Sequence, residues 1–185
     1  MFVALVPPEE AVEDLDAFLE PRRGAGEFRW ADSGQFHLTL AFLAQVADRH
    51  LDELVERLGR AAARRTPFPA RVTGGGAFPN VGRARVIWAG LELDETGRTE
   101  LDRLATGARA AAARTGIAVD GQRFRAHLTL ARLGRPAEVS GWVRLLDSYT
   151  GPAWTADRIA LIESHLGEGP RKRPRYEVVE ELALG

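Results

Sequence analysis

Short apolar runs and apolar residues spaced three or four apart take turns along this chain, predicting a mixed succession of strands and helices. Phe2 to Val6 is a continuous apolar run of strand length, followed by Pro7-Pro8-Glu9-Glu10. From Pro8 to Leu19, Val12, Leu15 and Leu19 share one helical face, behind a first-turn proline and acids near the N-terminus. Phe28 to Trp30 predicts a short strand and Gln35 to Leu43 a clearer one. Asp48 opens a second helix through Arg64, with Leu51, Leu54, Val55 and Leu58 at helical spacing. Phe68 to Thr73 and Arg85 to Leu93 read as strands separated by a Gly-, Pro- and Asn-rich connection. Asp94 to Arg114 gives a third helix, stopped near Gly116. A strand at Phe124 to Leu133, a helix at Glu138 to Tyr149 that contains Gly141, and strands at Arg158 to Leu166 and Tyr176 to Leu182 follow. Strands outnumber the helices available to cross between them, so antiparallel pairing is expected. No linker or low-complexity tract divides the chain, which predicts one domain over residues 1–185 built from two interlocked lobes.

One word recurs within this pattern. His37-Leu38-Thr39-Leu40-Ala41 returns as His127-Leu128-Thr129-Leu130-Ala131, and the two copies hold half of the four histidines. Side chains alternate faces along a strand. His37 and Thr39 therefore share one face with Leu38 and Leu40 on the other, and His127 and Thr129 stand likewise against Leu128 and Leu130. Two such faces opposed would make a symmetric polar groove with two proton-transfer groups. The competing explanation is chance, since a short word in an Ala- and Leu-rich chain can repeat, and a lone strand histidine is usually structural.

Composition narrows the chemistry. The chain has 185 residues, of which 45% are hydrophobic and 28% charged, as in ordinary globular domains. No apolar run approaches the roughly 20 residues that span a membrane. The opening segment is too short for a secretory core, and a cytoplasmic protein is the expectation. There is no cysteine, which excludes disulfides, thiolate metal sites and a cysteine nucleophile. A net charge of −1 excludes a non-specific nucleic-acid coat held by a global field. Arginine supplies nearly all the positive charge, with Lys172 the only lysine. That bias suits bidentate phosphate contacts but equally reflects genome composition.

The two His-x-Thr-x motifs resemble the signature of the 2H phosphoesterase superfamily, and within it the RNA 2′,3′-cyclic phosphodiesterases, historically called 2′-5′ RNA ligases. Phe2-Val3-Ala4-Leu5 is similar to the family's opening strand, and Arg29-Trp30 stands where it places a tryptophan. Gly76-Ala77-Phe78-Pro79 with Arg85-Val86-Ile87-Trp88-Ala89-Gly90, Phe124 to Arg132, Glu163-Ser164 and Tyr176 extend the resemblance over nearly the whole chain. It implies an α+β fold of two pseudo-symmetric lobes, mainly antiparallel sheet with outer helices, flanking a central groove. It also implies a cofactor-free and metal-free monomeric enzyme opening 2′,3′-cyclic phosphate on RNA ends or nucleotides. By resemblance His37 is the proton donor, His127 the acceptor, and Arg132 an arginine near the phosphate. Thr39 and Thr129 can donate to the non-bridging oxygens. The readings left open are a phosphodiesterase of small cyclic nucleotides and an RNA-end-binding module that does not turn over.

Other positions carry less. Arg132 lies five residues after His127, so strict alternation puts it on the opposite face unless the strand bends. Phe42, at the same offset after His37, reads as a base-stacking residue or a core phenylalanine. His50 at a helix start reads as surface, and His165 before a Gly-rich turn as a loop histidine. Gly74-Gly75-Gly76 lacks a following Lys-Ser/Thr, so it is a bend or bulge and not a phosphate loop. The run Arg171-Lys172-Arg173-Pro174-Arg175 is either solvated or tracks an RNA backbone. Three departures from the family stand out: Leu43-Ala44 in place of Leu-Gly, Ala126 in place of proline, and the basic stretch Glu168 to Arg175.

Overall fold

The computed structural model describes all of residues 1–185. Nine strands form one antiparallel sheet: β1 (Phe2–Leu5), β2 (Arg29–Trp30), β3 (Leu38–Phe42), β4 (Phe68–Phe78), β5 (Ala84–Glu92), β6 (Leu128–Ala137), β7 (Trp154–Ala156), β8 (Arg158–His165) and β9 (Arg175–Ala183). Four helices join them: α1 (Glu9–Leu19), α2 (Asp48–Ala63), α3 (Glu95–Arg114) and α4 (Ser140–Asp147). No helix is long and apolar enough to cross a membrane.

The strand order is β7-β4-β5-β6-β3-β1-β8-β9, with β2 also on β6. Its centre is narrow: β3 and β6 share only the pair Leu38 and Leu128. Five strands on the β6 side, counting β2, and four on the β3 side make the two lobes, and the repeated words lie at the seam. Registers on the two sides correspond residue for residue. Phe2, Val3, Ala4 and Leu5 face Phe42, Ala41, Thr39 and Leu38, while Val86, Ile87, Trp88 and Ala89 face Arg132, Ala131, Thr129 and Leu128.

The helices exchange sides. Helix α1 follows β1 but packs towards β4, and α3 follows β5 but packs on β3 and α2. Tyr149 beyond α4 donates to Asp14 of α1 at 2.6 Å, and the Thr66 N–H beyond α2 donates to Glu100 of α3 at 2.8 Å. A continuous apolar core of 39 buried residues, including Leu15, Leu54, Leu58, Leu101 and Leu104, runs beneath the sheet. Leu38, Leu40, Leu128 and Leu130 are all within it, so the leucines of the repeat anchor the seam.

Boundaries depart from the sequence reading where local pattern is weakest. The strand expected at Phe68 to Thr73 continues through the glycine triplet to Phe78, with a register shift between Thr73 and Gly75 and Gly74 at φ 67°. The triplet is a bulge inside β4, and the connection is only Pro79 to Arg83. The repeat-bearing strands start at Leu38 and Leu128, later than Gln35 and Phe124, and the fourth helix is shorter at both ends. Strand β7, at three residues, escaped the pattern altogether.

One glycine of the triplet is required by a close approach. A Cβ on Gly76 would lie 2.3 Å from Trp88 Cζ2. The indole cannot easily move away, because Phe78 packs against it with ring centroids 5.3 Å apart. Gly76→Ala is expected to cost about 1–3 kcal/mol, the range for overpacking. Thermal melting with tryptophan fluorescence checks this; an unchanged melting temperature and spectrum would contradict it.

Candidate active site

Each histidine is held by the same local device. His37 Nδ1 lies 2.7 Å from the Gln35 carbonyl, and His127 Nδ1 lies 2.7 Å from the Arg125 carbonyl. A carbonyl only accepts, so Nδ1 carries the proton and Nε2 is left to exchange one. Thr39 Oγ1 sits 3.0 Å from His37 Nε2, giving that histidine a ready donor within its own motif. Thr129 makes no such bond with His127, so the two halves are alike in backbone and different in detail.

Aromatic walls flank both rings. His37 packs against Phe2 and Tyr176, with centroids at 4.7 and 5.6 Å. His127 packs against Phe78 and Trp88 at 4.8 and 6.3 Å. These four residues are part of the site, and sequence reading placed none of them there. Phe2 was hidden because a continuous apolar run conceals which residues face the groove.

Arg132 and Phe42 are brought onto the histidine face by matched bulges. Pairing jumps from Ala4–Thr39 to Val3–Ala41, and from Trp88–Thr129 to Ile87–Ala131. Leu40 and Leu130 are the extra residues, so each strand resets its alternation there. The alternation that assigned Arg132 to the far face fails for this reason. Phe42 lies 55% exposed with its ring 5.8 Å from Phe2, which corrects the core reading.

Electrostatics follow from this crowding. Burial is the largest influence on both imidazoles and lowers both below the ordinary histidine value. The carbonyl bonds oppose it. His127 and Arg132 lower His37 further, while Arg132 and Arg125 lower His127. Tyr176 is pushed up by burial and pulled down by Arg132, so that one guanidinium acts on all three groups. The Arg125 guanidinium lies 5.6 Å from the centre of the Phe78 ring.

A pH effect on stability follows. The unfolded chain binds more protons than the folded one between the lowered folded values and about 6.5. The histidines' contribution is therefore present above about pH 6.5 and is lost as pH falls through the folded values. Melting between pH 5 and 7.5 should show stability falling on the acid side, with a shallower slope in His127→Asn; identical slopes would contradict this.

The remaining predicted residues lie elsewhere. His50 is half-buried in the first turn of α2. His165 ends β8 among carboxylates, with Nε2 3.2 Å from Glu177 and 3.6 Å from Glu163. The basic run forms the β8–β9 loop, which docks beside the groove: Arg173 pairs with Asp32 at 3.1 Å, and Gln35 Nε2 donates to the Pro174 carbonyl at 2.7 Å. No three His, Cys, Asp or Glu side chains converge as a metal-ligating group.

Two paired histidines, two threonines and an arginine on a bilobed antiparallel sheet define a two-histidine phosphoesterase. The chain belongs to the LigT-like phosphoesterase family, whose model matches residues 5–88 and 91–171. Among its relatives, the RNA 2′,3′-cyclic phosphodiesterase of Thermus thermophilus is 32% identical over 193 residues, covering 100% of this chain and 89% of that protein. The protein of the same name from Archaeoglobus fulgidus is 34% identical over 149 residues, covering 80% and 81%. In structure, E. coli LigT complexed with 3′-AMP superposes with a TM-score of 0.76 at 26% identity, covering 99% of this chain and 96% of that one.

Proposed function

We propose that this protein is an RNA 2′,3′-cyclic phosphodiesterase that opens a terminal cyclic phosphate to a 2′-phosphate by two-histidine acid–base catalysis. The observation that carries the reading is the pair of imidazoles at the seam, each fixed at Nδ1 by a carbonyl so that Nε2 is the nitrogen that exchanges a proton. Relatives of that name spanning the whole chain support the substrate class.

In the reaction, water attacks phosphorus in line with the 3′-oxygen. His127 takes the water proton, the P–O3′ bond breaks, and His37 protonates the departing oxygen. Burial, and then the charges of Arg132 and Arg125, favour the neutral form of His127, which suits the base. The Thr39 and Thr129 hydroxyls and the Arg132 guanidinium stabilise charge on the non-bridging oxygens. Phe42, exposed on the same face, offers a stacking surface for the terminal base. With a 5′-hydroxyl in place of water, the same two proton transfers would join the cyclic end to it as a 2′-5′ linkage, the 3′-oxygen again leaving as a hydroxyl.

Because both imidazoles lie below their ordinary value, kcat/KM against pH should be bell-shaped with its maximum below about pH 6.5. Bound phosphate favours the imidazolium, so kcat should peak at higher pH; coincident maxima would contradict this assignment. The substrate is tested by giving the enzyme, in EDTA, an RNA ending in 2′,3′-cyclic phosphate beside a small cyclic nucleotide. Faster opening of the RNA end supports the reading. Binding without turnover, or turnover of the small nucleotide alone, overturns it.

A further inference from the structure

Strand β2 is only two residues long, yet it places a second arginine directly beside Arg132. Its register sets Arg29 opposite Arg132 and Trp30 opposite Ala131. Ala131 is fully buried, and Trp30 packs against Phe28 and Trp142 with centroids at 5.7 and 5.2 Å. The neighbouring side chain, Arg29, consequently stands on the other face, the one that carries Arg132, His127 and His37.

Like charges directly opposite on paired strands are destabilising. No carboxylate relieves this pair: neither Arg29 nor Arg132 takes part in an ion pair, and nor does Arg125. By contrast Arg173, in the β8–β9 loop beside the groove, is paired with Asp32 at 3.1 Å. Within the groove this uncompensated charge lies at the His127 end. At the pseudo-symmetric end, the bridge between Leu43 and Val119 brings Asp120 to Phe42, whose carbonyl accepts from the Asp120 N–H at 3.3 Å. Arg29 beside Arg132 is thus matched by Asp120 beside Phe42, and the symmetry of the fold is broken in charge.

We propose that Arg29 forms a second anion subsite, taking the phosphate on the 5′ side of the nucleotide whose cyclic phosphate lies between the histidines. The proposal rests on the functional reading above. A terminal nucleotide with its 2′ and 3′ oxygens in the cyclic ester has one other place for phosphate, the 5′ position. One arginine at the reacting phosphate leaves the adjacent one for that group. The 5′-phosphate is either a free monoester or the phosphodiester to the preceding nucleotide.

Calorimetric titration tests this independently of turnover, using product-like ligands at low salt. The wild-type protein should bind a nucleoside 2′,5′-bisphosphate about tenfold more tightly than the 2′-monophosphate, as one charge-assisted contact provides. A dinucleotide ending in 2′-phosphate should share the gain if the subsite accepts a phosphodiester, and should lack it if only a monoester fits. Arg29→Gln should erase the preference and raise the melting temperature of the free protein, while Arg29→Lys should retain part of the preference. Equal affinity of the wild type for the mono- and bisphosphate, or an equal loss for both in Arg29→Gln, would overturn the proposal. A bisphosphate preference in a protein that fails to open cyclic ends would sink the functional reading and leave the subsite standing.

Discussion

His127→Ala and His37→Ala are each expected to lower turnover of a cyclic-phosphate RNA end by about 10²- to 10⁴-fold, the contribution of a positioned acid or base. Neither loss should come through folding, because both imidazoles face the groove and the buried anchors of the seam are leucines. The pH profiles separate the roles. Removing the base deletes the acid limb, so His127→Ala should lose it, and His37→Ala should lose the alkaline limb. The double variant should lose far less than the product of the single losses, since both groups act in one transition state. Steady-state kinetics across pH checks this; intact limbs in both variants would refute the pairing.

Arg132→Gln is expected to cost about 10²- to 10³-fold in kcat/KM, the range for removing one donor to a charge-accumulating oxygen. It should also act at a distance from the phosphate. Arg132 lowers both histidines, so removing its charge lets their values rise and moves the acid limb to higher pH. A merely structural arginine would lower activity without moving that limb. Measuring kcat/KM from pH 5 to 8 distinguishes the two outcomes.

The histidine and threonine pairs were legible because the repeated word carries its own face assignment, with polar residues on one side and leucines on the other. What alternation could not deliver was Arg132. It joins the site through a bulge at Leu130, and nothing in His-Leu-Thr-Leu-Ala-Arg distinguishes a regular strand from a bulged one. The matching bulge at Leu40 similarly exposed Phe42. The aromatic walls were obscured differently: Tyr176 reaches His37 from a strand more than a hundred residues away, a contact that no local window contains. Sheet order and the exchange of α1 and α3 between lobes are likewise long-range outcomes. The mixed α and β character and the antiparallel pairing were readable because strands are too many for crossover connections. The extension of β4 through three glycines ran against strand propensity, and the close approach of the Trp88 indole to Gly76 supplies its reason.

The central claim is that the paired histidines direct water to phosphorus with the 3′-oxygen leaving, and the product's identity tests it most directly. An RNA ending in 2′,3′-cyclic phosphate, incubated with the protein in EDTA and followed by phosphorus NMR, should yield a single 2′-phosphomonoester, formed about 10²- to 10⁴-fold more slowly by His37→Ala or His127→Ala. A 3′-phosphate product, or undiminished opening by either variant, would contradict the account.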